Sequence, residues 1–187
     1  MRVMVRMLAI IVLLAGLKLP AELPAPTPVE ALATAEMLYM VTKFIQWPPQ
    51  GSGEGRAAGQ FLVGMMGQDP IGSTLRRQLE GQQVAGRPIV VREIRTMAEL
   101  RDCQLVFIGA SERKRVRRIL ETLEGSGALT IATIDDFGVW GGMIGLRPGG
   151  GKPELSINAD QLRRAGLVAS SKLLRLATIV RTEGELE

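Results

Sequence analysis

Four short, largely apolar runs separated by segments of helical character most constrain the fold of this chain. Each run is six or seven residues long, as is typical of a buried strand, and the runs are residues 61–67, 89–94, 104–109 and 129–134. Strands that alternate with helices usually pair in parallel. The pattern therefore predicts an α/β fold in which helices cover a mostly parallel sheet.

A long amphipathic helix is predicted before the first of these strands. Thr27 and Glu30 form the pattern of a capping box, and Pro28 fits the first helical position. Apolar residues then recur at helical spacing up to Ile45, which indicates one buried face. The sequence Trp47-Pro48-Pro49 ends the helix, and Trp47 is expected to anchor that end in the core.

The C-terminal part of the chain predicts a β-hairpin followed by two terminal helices. Residues 142–146 and 154–157 flank a run of three glycines, which is typical of a hairpin turn. Asn158 is suited to cap a helix that ends near Gly166. The last helix is expected over residues 170–180.

The first residues of the chain have the organisation of an export signal. Arg2 and Arg6 precede an uninterrupted apolar run, Met7–Leu17, and a charged segment with prolines follows it. The run is shorter than the roughly 20 residues that a membrane-spanning helix needs. Residues 1–25 are therefore predicted to be a signal peptide and residues 26–187 a single α/β domain. An uncleaved N-terminal anchor is the alternative.

Composition narrows the chemistry that the chain can perform. It has no histidine, which removes the commonest general base and zinc ligand. Its one cysteine, Cys103, cannot form an internal disulfide or a cysteine-rich metal site. These absences alone exclude no enzyme class, although they remove several of the commonest chemistries. Because the sequence also shows no recognisable catalytic set, we expect no catalytic residues, no metal and no cofactor. The formal net charge is +4, and loss of the signal peptide removes three cations and one carboxylate, leaving +2. So small a charge does not favour a nucleic-acid partner.

Polar residues directly follow two of the predicted strands. The sequences Gly67-Gln68-Asp69 and Gly109-Ala110-Ser111 lead into helix starts, and this edge of an open α/β sheet collects ligands. Asp69 and Ser111 are therefore candidate ligand-binding residues. Neither strand is followed by a dinucleotide-binding or Walker pattern, so plain helix caps are the simpler interpretation.

An apolar cluster lies in a glycine-rich segment just before the hairpin. Phe137, Trp140 and Met143 have glycines as neighbours, which leave large side chains little cover. The three residues are therefore candidates for an exposed patch that docks onto a protein partner. Burial beneath the hairpin is the alternative interpretation.

The most basic stretch of the chain is Arg113–Arg118. Such a run is able to contact phosphates, lipid headgroups or an acidic partner. However, Val116, Ile119, Leu120 and Leu123 share one helical face. A solvated helix face opposite the core is therefore the simpler interpretation of the cations.

Two further sequences resemble parts of hydrolase sites. Asp135-Asp136 follows a strand, but adjacent residues of an extended chain point in opposite directions and make a poor acid–base pair. Ser171-Lys172 lacks the spacing that places a lysine one helical turn after a serine nucleophile. A turn is the better interpretation of Asp135-Asp136, and a helix start is the better interpretation of the segment at Ser171. A hydrolase that uses Asp135 or Ser171 is kept only as an alternative.

A series of motifs extends from residue 30 to residue 180. The motifs are Met40–Pro48, Gly67–Gly72, Gly86–Arg92, Cys103–Ser111, Gly141–Ile144, Ile157–Asn158, Arg163–Leu167 and Ser170–Leu174. No single motif is decisive. In this order and at this spacing, together they resemble the YfiR/HmsC-like family of periplasmic proteins.

The resemblance implies a Rossmann-like α/β fold, often dimeric, and a regulatory role. The best known relative represses an inner-membrane diguanylate cyclase by binding its periplasmic part, which lowers cyclic di-GMP and biofilm formation. The partner implied here is the periplasmic part of such a cyclase or of a sensor protein. That relative uses cysteine pairs for redox control, which Cys103 alone cannot provide. A periplasmic sensor of small ligands is the alternative function.

The predicted signal peptide is testable with a reporter enzyme that is active only outside the cytoplasm. Residues 1–30 fused to this reporter should give activity, because Arg2 and Arg6 before an apolar run supply the two parts that export requires. A reporter that is produced but stays inactive, with all of it recovered in the cytoplasm, would contradict the predicted localisation.

Overall fold

The computed structural model describes residues 25–48 and 59–183. The strands are β1 (Ile45–Gln46), β2 (Phe61–Met66), β3 (Gln83–Val84), β4 (Arg87–Ile94), β5 (Leu105–Ile108), β6 (Leu129–Ala132), β7 (Ile144–Arg147), β8 (Glu154–Ile157), β9 (Val168–Ala169) and β10 (Thr178–Ile179). The α-helices are α1 (Pro28–Phe44), α2 (Gly72–Leu79), α3 (Val116–Leu123), α4 (Ala159–Arg164) and α5 (Ser171–Leu174), and 3₁₀ helices span Ala98–Asp102 and Ala110–Arg115. The predicted signal peptide lies outside the described residues, apart from Ala25. None of the helices in the described ranges has the length and apolar content of a membrane span.

The strands form one large sheet and one small one. The large sheet has the spatial order β3-β4-β2-β5-β6-β7-β8-β10. Neighbours from β4 to β7 pair in parallel, β7 and β8 form an antiparallel hairpin, and β10 adds in parallel to β8. The small sheet is the antiparallel pair of β1 and β9. The predicted mostly parallel α/β sheet with a C-terminal hairpin is confirmed.

The order of the parallel strands makes the sheet doubly wound. After β2 the chain moves outward to β4, and it then returns past β2 to β5 on the other side. The direction of winding therefore reverses between β2 and β5. In sheets of this kind the crevice at the carboxyl ends of the two strands is the usual place for a ligand.

Two hydrophobic cores lie on opposite faces of the sheet, and β2 contributes to both. Phe61, Val63 and Met65 belong to the core that contains residues of α1 and α2. Leu62 and Met66 belong to the core that contains residues of α3. This alternation is the period of two expected for a strand that is covered on both faces.

The start of α1 has the predicted capping box. The hydroxyl of Thr27 accepts a hydrogen bond from the Glu30 backbone N–H at 3.3 Å, and the Glu30 carboxylate accepts one from the Thr27 N–H at 2.8 Å. This hydrogen bond from the backbone and a second from the Thr27 hydroxyl lower the pKa of Glu30. The two capping-box bonds satisfy the backbone N–H groups of Thr27 and Glu30, which would otherwise lack partners at the start of the helix.

Trp47 anchors the end of α1, as predicted. Its half-buried ring meets the ring of Phe61 edge-on, with the ring centroids 4.8 Å apart. The indole N–H donates a hydrogen bond to the carbonyl of Thr42 at 3.1 Å. The ring thus ties the last turn of α1 to the first residue of β2.

The predicted helix over residues 170–180 is wrong beyond its first turn. Ser170 caps a helix as expected, but that helix, α5, ends at Leu174. Thr178–Ile179 instead forms β10. The segment carries three consecutive β-branched residues, which favour a strand, and β8 offers it a free edge for hydrogen bonding.

Truncation of the anchoring ring should destabilise the fold. We expect Trp47→Ala to lower the free energy of unfolding by about 2–4 kcal/mol, since the ring is only half-buried and fully buried rings cost slightly more. Trp47→Phe keeps an aromatic contact with Phe61 and loses the hydrogen bond to Thr42, so it should cost about 1 kcal/mol. Urea unfolding followed by circular dichroism measures both. Equal stability of the three proteins would show that the ring anchors nothing.

Candidate docking site

The predicted docking residues lie in the segment that links β6 to β7, and the most N-terminal of them is buried. Phe137 is 1% exposed and packs in the same core as α3. A Cβ atom at Gly142 would lie 2.3 Å from the Phe137 ring, so the chain folds over this ring only because position 142 is glycine. The prediction of Phe137 as a docking residue is therefore wrong, since its side chain fills the space beneath the turn.

The buried ring of Phe137 fixes the position of Trp140. The Trp140 N–H donates to the carbonyl of Asp136 at 3.0 Å, and the Gly142 N–H donates to the carbonyl of Phe137 at 2.9 Å. Asp136 begins this turn with a φ of 60°, a left-handed conformation that aspartate tolerates better than most residues. The Trp140 ring is half-buried, and the guanidinium carbon of Arg113 lies 4.8 Å from its centroid.

Met143 closes the turn at the start of β7. Its N–H donates to the hydroxyl of Thr130 at 3.1 Å, and its carbonyl accepts from the N–H of Asn158 at 2.8 Å. Asn158 is fully buried and caps α4, as predicted. Its side-chain amide also donates to the carbonyl of Gly138 at 2.9 Å and to the hydroxyl of Thr182 at 3.0 Å. These bonds join the turn, α4 and the C-terminal segment.

Trp140 and Met143 line a common groove of 570 Å³, which we call the Trp140 groove. Side chains of α3, α4 and the turn form its walls. The apolar part consists of buried or half-buried side chains, and these are Leu120, Leu123, Trp140 and Met143. The exposed charged side chains around them are Arg117, Glu121, Glu124 and Arg164. Two of the three predicted docking residues therefore meet at one concave surface.

The basic run Arg113–Arg118 lies on the second 3₁₀ helix and the first turn of α3. Its cations are exposed while Val116 and Ile119 are buried, so the predicted solvated face is confirmed. Sequence reasoning did not reveal that this face borders the Trp140 groove, which Arg117 lines. The local spacing carries no such signal, because the groove forms only when the distant β6–β7 turn packs beside α3.

Asp69, a predicted ligand-binding residue, is held by three hydrogen bonds at the point where the winding of the sheet reverses. Its carboxylate accepts from the N–H groups of Ile71 and Ala110, each at 3.0 Å, and from the hydroxyl of Thr133. The side chain thus joins the chain segments that follow β2, β5 and β6. These bonds use three of the roughly four acceptor positions of the carboxylate.

Ser111 is the second predicted ligand-binding residue. It does not cap a helix, so the simpler interpretation of this residue is wrong. It lies within the 3₁₀ helix, and its hydroxyl accepts from the N–H of Gln68 at 2.8 Å. A Cβ atom at Gly109 would lie 2.6 Å from the carbonyl oxygen of Gln68. A Cβ atom at Gly67 would lie 2.5 Å from the side chain of Glu112. The chain is therefore closely packed between the ends of β2 and β5. A groove of 400 Å³ remains open beside this point, and Gly67, Asp69 and Ser73 are among the residues that line it.

The residues considered for hydrolysis lie in separate places. Asp135 and Asp136 line a groove of 290 Å³ together with Arg147 and Glu154, which form an ion pair with each other. Ser171 does not line this groove and is exposed on α5. In the described part of the chain, no cluster of three or more His, Cys, Asp or Glu side chains is placed to hold a metal ion.

Comparison with solved structures agrees with this architecture. A conserved domain protein from Vibrio cholerae resembles the chain with a TM-score of 0.52 at 10% sequence identity, over 82% of this chain and 60% of that protein. At this identity the similarity concerns the fold alone. This chain spans less than two thirds of the length of that protein.

Comparison of the sequence itself identifies the family. None of the curated proteins compared with the chain matches it. The sequence profile of the YfiR/HmsC-like family, in contrast, matches residues 32–178, from the first turns of α1 to the start of β10. This match covers most of the chain and includes the strand ends at Asp69 and Ser111 and all of the Trp140 groove except Thr182. The chain therefore belongs to the YfiR/HmsC-like family.

Proposed function

We propose that this chain is an exported regulatory protein that binds another protein at the Trp140 groove. The family to which it belongs is regulatory rather than catalytic. The observation that carries the proposal is the groove itself, where half-buried Trp140 and Met143 meet in a concave surface with a charged border. Tryptophan in a pocket of this kind is the side chain most enriched at the energetic centres of protein interfaces.

The rigidity of the turn supports a docking role. Phe137 fills the space beneath the turn, and Asn158 holds it to α4 and to the C-terminal segment. The guanidinium of Arg113 lies over the Trp140 ring. A side chain that is already ordered loses little conformational freedom when a partner binds, so more of its contact energy appears as affinity.

The partner that we propose is the periplasmic part of an inner-membrane diguanylate cyclase, or of a related sensor protein. Binding would repress the cyclase, lower cyclic di-GMP and reduce biofilm formation. Family membership supports this choice, and so does the predicted signal peptide at residues 1–25, which would deliver the chain to the periplasm.

A periplasmic sensor of small ligands has less support. Its proposed site is the strand-end crevice, where Asp69 and Ser111 already bond to backbone N–H groups of Ala110 and Gln68. These are the donors that would otherwise bind an anionic ligand. Nothing in this arrangement favours a ligand over the bonds that are already present.

Truncation of Trp140 should weaken the interaction with the partner. We expect Trp140→Ala to reduce affinity for the periplasmic part of the cyclase by about tenfold, equivalent to about 1–2 kcal/mol, because a ring in a pocket is an interface hot spot. Cells that produce this variant should contain more cyclic di-GMP than cells with the native protein. Titration calorimetry measures the first effect, and mass spectrometry of cell extracts measures the second.

Two control variants separate docking from stability and from catalysis. Leu176→Ala removes a side chain that is 63% exposed and lies outside the groove, so binding and cyclic di-GMP should stay near native values. Ser171→Ala should also have little effect. A thermal melt of each protein must show that the fold is retained. A folded Ser171→Ala protein without function, beside a fully active Trp140→Ala protein, would reject docking and support an enzyme.

A further inference from the structure

The charges along α3 are arranged against the helix dipole. The basic run Arg113–Arg118 occupies the first turn and the 3₁₀ helix before it, while Glu121 and Glu124 lie at the other end. The N-terminal end of a helix favours carboxylates and the C-terminal end favours cations, so both ends of α3 carry the unfavourable sign. This order therefore costs the helix a small amount of stability.

Most of the cations on this face lack a neutralising partner. Arg115 forms an ion pair with Glu112 at 3.1 Å, and Arg113 lies over the ring of Trp140. Within the described ranges, Lys114, Arg117 and Arg118 have no carboxylate within 4.0 Å. Cations that are crowded in this way repel one another, and carboxylates of a bound partner would relieve the repulsion.

The cations border a concave apolar surface, which argues for a polypeptide occupant. Arg117 lines the same groove as Leu120, Trp140 and Met143. A flat layer of anionic lipid headgroups could contact the exposed cations but could not fill a groove of 570 Å³ below them. A segment of protein can do both, because side chains on one stretch of chain can enter the groove while others stay at its border.

We propose that the Trp140 groove binds an acidic segment of the partner protein, an inference that rests on the docking function proposed above. One apolar side chain of the segment enters between Leu120, Trp140 and Met143. Carboxylates beside it contact Lys114 and Arg117 at the N-terminal end of α3. Glu121 and Glu124 repel carboxylates at the opposite end of α3, so along α3 the acidic flank lies toward Lys114 and Arg117. Arg164 of α4 adds a further cation to the groove.

The intrinsic fluorescence of Trp140 provides the test. Trp47 and Trp140 are the two tryptophans of the chain, so Trp47→Phe leaves Trp140 as the sole tryptophan. The probes are two short synthetic peptides with a central leucine pair, one flanked on one side by glutamates and the other by lysines. The glutamate peptide should change the Trp140 emission and bind at least about tenfold more tightly than the lysine peptide. Its affinity should fall as salt is added, because exposed charges are screened.

Charge reversal supplies a result that a purely structural role would not give. The double substitution of Lys114→Glu and Arg117→Glu should invert the preference, so that the lysine peptide binds more tightly. The matched control reverses two exposed cations outside the groove, with Lys172→Glu and Arg175→Glu, and should keep the native preference.

Three results would overturn the acidic occupant. These are equal binding of the two peptides, no binding of the glutamate peptide at millimolar concentration, and a Trp140 response to phosphatidylglycerol vesicles without a response to the peptide. The last would assign the surface to lipid. If the peptide test fails while Trp140→Ala still raises cyclic di-GMP, the docking function stands and only the acidic occupant is rejected. A glutamate peptide that binds, beside normal cyclic di-GMP in the Trp140→Ala cells, supports the acidic occupant and rejects the cyclase.

Discussion

The fold depends on β2, which is buried on both faces and hydrogen-bonded along both edges. It pairs in parallel with β4 and with β5, and its side chains enter the two cores alternately. Gly64, in the middle of the strand, leaves no room for a side chain unless its neighbours shift. A Cβ atom at Gly64 would lie 2.6 Å from the sulfur of Cys103 and 2.8 Å from Ile94. Cys103 is fully buried, and its role is to pack against this glycine as a small apolar residue.

Side chains of the protein itself bond to the backbone N–H groups at the point where the winding of the sheet reverses. In many doubly wound sheets a bound ligand accepts hydrogen bonds from the backbone N–H groups at the point where the winding reverses. Here the carboxylate of Asp69 accepts the hydrogen bond from the N–H of Ala110, and it also accepts one from the hydroxyl of Thr133. Thr133 begins the segment that ends at Met143. One carboxylate therefore binds both the N–H that follows β5 and the start of the turn that carries Trp140.

Local patterns in the sequence were sufficient for much of the fold, and non-local pairing explains the exceptions. The box at Thr27 and Glu30 and the cap at Asn158 involve residues three positions apart, so the sequence alone predicts them. β10 depends on β8, whose paired residues lie 22 positions earlier in the chain, and local spacing favoured a helix there. Ser111 likewise has its partner on another strand end, at Gln68. The Trp140 groove is wholly non-local, since α3, the turn and α4 meet only in the folded chain.

The turn between β6 and β7 shows why a cluster of apolar residues in a sequence does not reveal which member is exposed. Phe137 and Trp140 are both large, and both stand among glycines. The ring of Phe137 packs so closely against Gly142 that a Cβ atom at position 142 would overlap it. This ring lies in the core. Gly138 is equally constrained, because a Cβ atom there would lie 2.4 Å from Val180 of the C-terminal segment. Both glycines are therefore closely packed, and the turn between them carries Trp140, whose ring is half-buried rather than buried.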